Sequence, residues 1–121
     1  MKDFRDLKVW EKAHDLALAC YSMTAAFPKH EIFGIVAQIR RAGTSIAANI
    51  AEGCGRGGNA EFQRFLQMAM GSASELEYHI LLSRDLHFLD EESHDRMQLQ
   101  VVEVKRMLAG LIRKVDAERR S

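Results

Sequence analysis

Apolar residues recur at three- and four-residue steps in four stretches of the chain, and each stretch reads as one amphipathic helix. Val9, Ala13, Leu16, Ala17, Cys20, Thr24 and Phe27 predict a first helix over about 7–26. Ile35, Ile39, Ala42, Ile46 and Ile50 predict a second over about 31–51. Phe62, Leu66, Ala69, Ala73, Leu76 and Ile80 carry a third over about 59–86. Met97, Val101, Val104, Leu108, Leu111 and Val115 carry a fourth over about 90–115. The breaks between them have physical causes. Pro28 disfavours helical geometry at Phe27, and the glycines of Gly53-Cys54-Gly55-Arg56-Gly57-Gly58 weaken helix where the second stretch ends. Asn59 and Asp90 read as N-caps, the latter followed by Glu91 and Glu92 at the positive end of a helix. The tail from Asp116 to Ser121 is expected to fray.

Long helices joined by short turns lie antiparallel to their sequence neighbours, so the pattern predicts an all-α, up-down-up-down four-helix bundle. A chain of 121 residues makes one such domain over 1–121 and can bury one core without staples. Ile35, Ile39, Ile46, Ile50, Phe62, Phe65, Leu66, Leu76, Leu108 and Leu111 are its expected core. A single proline argues against a strand-and-turn protein.

Two segments depart from a plain amphipathic pattern. Gln38 to Gly53, QIRRAGTSIAANIAEG, and Gly71 to Glu77, GSASELE, interleave charges with alanine, glycine and serine. Small residues let backbones approach closely, and a charge held in such a seam needs a partner. Arg41, Ser45, Asn49 and Glu52 on the second helix, with Gly71, Ser72, Glu75 and His79 on the third, predict a tightly packed second face. Arg41 is expected to pair with Glu52 or Glu75, between helices or between subunits. The bland alternative is a solvated polar face, worth roughly 0–1 kcal/mol per pair.

Charge sums to zero, with 17 basic and 17 acidic residues, so no global field draws the chain to nucleic acid or membrane. Its distribution is uneven. The bundle topology gathers Lys2, Arg5, Lys8, Arg56, Arg113, Lys114, Arg119 and Arg120 at one end. Asp85, Asp90, Glu91, Glu92 and Asp95 gather at the other. Together with Lys105 and Arg106, the C-terminal cations are the best candidate contact for a polyanion, although Asp116 and Glu118 dilute them.

Other motifs carry less. GCGRGGN has neither the GK[ST] ending nor the preceding strand of a nucleotide-binding loop and reads as a flexible turn. Glu11-x-x-His14 and Glu91-x-x-His94 have the spacing of di-iron ligands, but the topology puts them at opposite ends, roughly 20 Å or more apart. No serine has a nucleophile-elbow context, and the histidines are scattered over exposed positions and turns. Phe4, Trp10 and Tyr21 read as packing at the bundle end rather than as base-stacking groups. Cys20 and Cys54 form no CxxC and read as reduced thiols. No apolar run approaches a membrane span, and no secretion-signal core follows the start Met-Lys-Asp-Phe. A cytoplasmic protein without metal or cofactor is expected.

The residues Phe4-Arg5-Asp6-Leu7-Lys8-Val9-Trp10, Phe27-Pro28, Glu31, Gly34, Gln38-Ile39-Arg40-Arg41, Ser45-Ile46, Asn49-Ile50-Ala51-Glu52-Gly53, Gly71-Ser72-Ala73 and Glu75-Leu76-Glu77 carry a family resemblance. In order and spacing the chain resembles the 23S rRNA intervening-sequence proteins, also called S23-type ribosomal proteins. The resemblance implies a left-handed four-helix bundle that assembles into a ring, a homopentamer. A related branch, the accessory variability determinant of diversity-generating retroelements, binds nucleic acid and a reverse transcriptase through a strongly basic surface, which this neutral chain does not share. The expected function is therefore a non-enzymatic oligomeric scaffold or adaptor whose protein partner is unknown. The competing reading is an RNA- or DNA-binding accessory protein that uses the basic rim of the ring.

Overall fold

A computed structural model describes residues 3–121, and among them four helices and two short 3-10 turns account for all regular structure. Helix α1 is Lys8–Thr24, α2 Ile35–Gly55, α3 Asn59–Asp85 and α4 Glu91–Arg120. The 3-10 turns are Phe4–Asp6 before α1 and Lys29–Glu31 before α2. Each helix packs on its neighbours in sequence, and α4 closes back on α1 with no diagonal contact among the described residues. The expected up-down-up-down bundle is the fold.

The core is the union of the four apolar stripes. Leu16, Ile39, Ile46, Ile50, Leu66, Leu76, Ile80 and Leu108 are its largest fully buried side chains. Phe62 and Phe65 are buried as expected, whereas Leu111 is only half-buried against the cluster. Cys20 lies in the α1–α2 seam, where a Cβ on Gly43 would come within 2.8 Å of its Sγ. Burial pushes the Cys20 thiol up to about 12, so it is protonated and unreactive at neutral pH.

Helix boundaries differ from the periodicity in instructive ways. Helix α2 starts at Ile35 rather than near residue 31, because Lys29–Glu31 closes a 3-10 turn first. It also runs on through Gly53 to Gly55. Glycine weakens an isolated helix, but Gly53 faces Phe62 and Phe65, and their packing holds the backbone helical. The connection to α3 shrinks to Arg56–Gly57–Gly58. Gly58, at φ +90°, occupies the cap position assigned to Asn59, which becomes the first helical residue. Asp90 does cap α4, its carboxylate accepting from the Ser93 N–H at 2.7 Å, and this bond holds its pKa below the usual range.

The tail is not frayed. Helix α4 continues to Arg120 because its last turns lie along the start of α3. Asn59 donates to Glu118 at 3.3 Å, Gln63 donates to Asp116 at 3.4 Å, Arg119 reaches the Gln63 side-chain oxygen, and Val115 is buried. At about 1.5 Å per residue, the 30 residues of α4 span roughly 45 Å, well beyond the 17 of α1. No described helix is long and apolar enough to cross a membrane.

Candidate functional site

The two unusual segments of the sequence meet along the α2–α3 seam. Arg41 reaches across to Glu75 and also donates to Gln38 at 2.9 Å within its own helix. One turn on, the Ser45 and Ser72 hydroxyls lie 2.9 Å apart and join the two helices directly. Asn49 donates from Nδ2 to the Ser45 carbonyl and to its Oγ, at 2.9 and 3.0 Å. Of the two predicted partners for Arg41, Glu75 is the one it meets within the chain. Glu52 turns along its own helix to Arg56 at 2.8 Å, four residues away, and takes no part in the seam.

This network is open rather than buried within one chain. The Arg41 side chain is 56% exposed and that of Glu75 37%. Alone, the pair therefore adds no more than roughly 1 kcal/mol. Partial burial opposes ionisation of Glu75, but hydrogen bonds from Arg41 and His79 prevail and hold its carboxyl below the ordinary range. His79 is largely enclosed, with Nε2 3.3 Å from the Glu75 carboxylate and Nδ1 without a partner. With a proton on Nε2, His79 donates to Glu75 and leaves Nδ1 as the unpartnered atom. An orphaned lone pair on Nδ1 costs less than an orphaned buried N–H.

A second seam was missed from the sequence. Glu77, two residues beyond Glu75, faces α4, where it accepts from Lys105 at 2.8 Å and from Gln98 at 2.7 Å. The Lys105 bond chiefly depresses its carboxyl, Gln98 adds to the effect, and partial burial opposes it. Lys105 is thus engaged in an ion pair across the α3–α4 seam. A pairing signal was present in the helical offset, since 75 and 77 lie on opposite flanks of Leu76. The folded-state pKa of Glu77 lies below its unfolded value, so its contribution is present above the ordinary carboxylate range. It is lost as pH falls through the folded value. Glu77→Gln should therefore lower neutral-pH stability by up to about 1 kcal/mol and flatten the acid limb, as thermal melts between about pH 3 and 7 will read.

The basic rim is real in sequence but mostly neutralised in space. Arg5 pairs with Asp3, Lys8 with Glu11, Arg56 with Glu52 and Arg120 with Asp116, while Arg119 is held by Gln63. Among the described residues Arg113 and Lys114 carry no ion pair; Lys2 lies outside them. Nor do the aromatics form a stacking platform. Phe4 packs edge-on to Trp10, whose other neighbour is the His14 ring at 4.9 Å, and Phe65 is buried beneath the guanidinium groups of Arg56 and Arg64.

The two ExxH pairs stay apart. Lys12 meets Glu103 at 3.3 Å, which sets Glu11 and His14 level with the middle of α4. The axial offset from Glu91 and His94 is then roughly 10–20 Å, shorter at its near end than the sequence estimate and still too long for a shared metal. Glu91, His94 and Asp95 do cluster, with ligand atoms within 4.8 Å of one another. His94 is buried, contrary to the expectation that the histidines sit on exposed positions and turns, and its Nδ1 is 3.0 Å from Asp95. The apolar stripe of α4 passes through position 94, where Met97 and Val101 continue it, and carries the imidazole inward.

Comparison with known proteins agrees with this architecture. The family model of the 23S rRNA-intervening sequence protein matches residues 5–110. A crystal structure of a protein of unknown function from the S23 ribosomal protein family of Bacteroides thetaiotaomicron VPI-5482 superposes with a TM-score of 0.80. It shares 26% identity, over 87% of this chain and 95% of that one. No curated protein matches the chain. With the match spanning both seam segments and all four helices, the chain belongs to the family of 23S rRNA-intervening sequence proteins.

Proposed function

We propose that the protein is a non-enzymatic scaffold or adaptor that assembles with copies of itself through the outer face of α2 and α3. One observation carries this reading. Gly71 sits in the middle of α3, exposed, and a Cβ built on it would meet no atom within 4 Å. Glycine there costs the helix up to about 1 kcal/mol relative to alanine, and nothing inside the chain requires it. Close approach of another backbone would. On α2, Ala37, Thr44 and Ala48 are exposed and present little bulk, which suits a close approach to that helix. A covered face would also desolvate the Arg41–Glu75 pair and turn a marginal surface contact into one that selects its partner.

A homopentameric ring is the form that the family resemblance implies, and the cytoplasm is the compartment expected from the residues. Sedimentation velocity tests the assembly. Wild-type protein is expected to sediment as a closed oligomer, and Gly71→Gln and Arg41→Ala to shift it towards single chains while keeping the helical circular dichroism signal. A wild-type protein that stays monomeric at millimolar concentration overturns the proposal. The nucleic-acid reading keeps a weaker basis, because Arg113 and Lys114 are the unpaired cations of the proposed rim. If it holds, retention on RNA or DNA falls steeply with salt.

A further inference from the structure

The corner between α1 and α2 holds a cleft of about 280 Å³, distinct from the α2–α3 face and lined by Ala25, Phe27, Pro28, Ile32 and Val36 with Thr24, Lys29 and Arg40 at its polar side. Arg40 is held in place from two directions. Its Nε donates to Thr24 Oγ1 at 2.9 Å, and its guanidinium carbon lies 4.7 Å from the centre of the Tyr21 ring. Thr24 is itself buried and donates to the Cys20 carbonyl at 2.8 Å, so its oxygen is fixed before Arg40 arrives. The two terminal nitrogens of Arg40 have no partner among the described residues, and neither has the Lys29 ammonium. Glu31, the acid of the same turn, lies 3.5 Å from His30.

We propose that this cleft binds the free C-terminal carboxylate of a peptide whose last residue is apolar. A planar guanidinium with its Nη1/Nη2 edge open matches a carboxylate, and a nearby ammonium adds charge without competing for geometry. The apolar floor takes one side chain. Its volume is at the bottom of the range for ligand pockets, roughly 300–1,000 Å³, which leaves no room for a nucleotide. The surface beyond the cleft favours a chain over a small free acid. Ile32 is half-exposed at the edge, and the next residue in the chain, Phe33, is 93% exposed. The larger groove of about 560 Å³ between α1 and α4 offers no such anchor, since its Arg96 is already bound to Glu92 and Ser93.

Fluorescence anisotropy on the full chain tests this with an N-terminally labelled hexapeptide ending in Val-Leu. The free-acid peptide is expected to bind saturably, and its C-terminal amide about tenfold or more weaker. Arg40→Gln should cost a similar factor, and Thr24→Val, which keeps the buried shape but releases Arg40, should cost several-fold with unchanged helicity. Isocaproate is expected to compete only at far higher concentration. Equal binding of acid and amide, which needs no mutant, would overturn the proposal, as would the absence of saturation up to millimolar peptide. Isocaproate matching the peptide would overturn the peptide assignment.

Discussion

Leu76→Ala is expected to destabilise the fold by about 3 kcal/mol, within the roughly 2–5 kcal/mol range for truncating a buried leucine. At about 4 °C per kcal/mol for a chain of this length, the melting midpoint should fall by about 12 °C when protein concentration is held fixed. Leu76 has no solvent exposure and sits between two carboxylates that face different neighbours. Glu75 turns to α2, where Arg41 holds it, and Glu77 to α4, where Lys105 and Gln98 hold it. A cavity under Leu76 therefore loosens α3 between both seams, and the site has little freedom to collapse. Leu99→Ala is the matched control. Leu99 is 72% exposed, so its truncation should change stability by less than about 0.5 kcal/mol. Thermal or urea denaturation of the two variants reads the contrast, and a midpoint fall of only a few degrees for Leu76→Ala would show that α3 is not clamped as described.

Gly53→Ala should destabilise by about 2 kcal/mol, although the same change in an open helix adds up to about 1 kcal/mol of stability. The sign turns on space. A Cβ at position 53 would lie 2.9 Å from the Phe65 Cβ, 3.1 Å from Phe62 Cδ1 and 3.5 Å from the Phe62 carbonyl oxygen. None of these is the free end of a flexible chain, so relief requires α2 and α3 to move apart. Gly71→Ala supplies the opposite case within the same bundle. It meets nothing and should stabilise the isolated protomer, so any loss it causes would be read in assembly alone. Equal gains at both glycines in urea denaturation would refute the close approach at Gly53.

Much of this was legible along the chain. The Val9, Ile39, Leu66 and Val101 stripes announced four helices, and Asp90 with Glu91 and Glu92 announced where the last one starts, because a 3.6-residue period and an N-cap are local properties. The pairing of Arg41 was narrowed to two carboxylates but not decided. Glu52 stands on the same helix, roughly 16 Å along it from Arg41, so within one chain the rotation of α3 against α2 brings Glu75 across while Glu52 turns to Arg56. The positions that went astray are those where tertiary packing overrides local preference. Phe62 and Phe65 keep Gly53 helical, the start of α3 keeps the α4 tail from fraying, and burial of the α4 stripe takes His94 inward.

The number of helices, their order, their apolar faces and the small, charged composition of the α2–α3 seam can all be read along the chain. These follow from spacing and from the backbone preferences of single residues. Packing settled which charges meet, which glycines are enclosed and which lie open, and that Arg40, tied to Thr24 through Nε, holds its terminal nitrogens open above an apolar cleft. Those outcomes depend on the rotation and separation of whole helices, which are set by the sum of many core contacts rather than by any residue beside them in the chain.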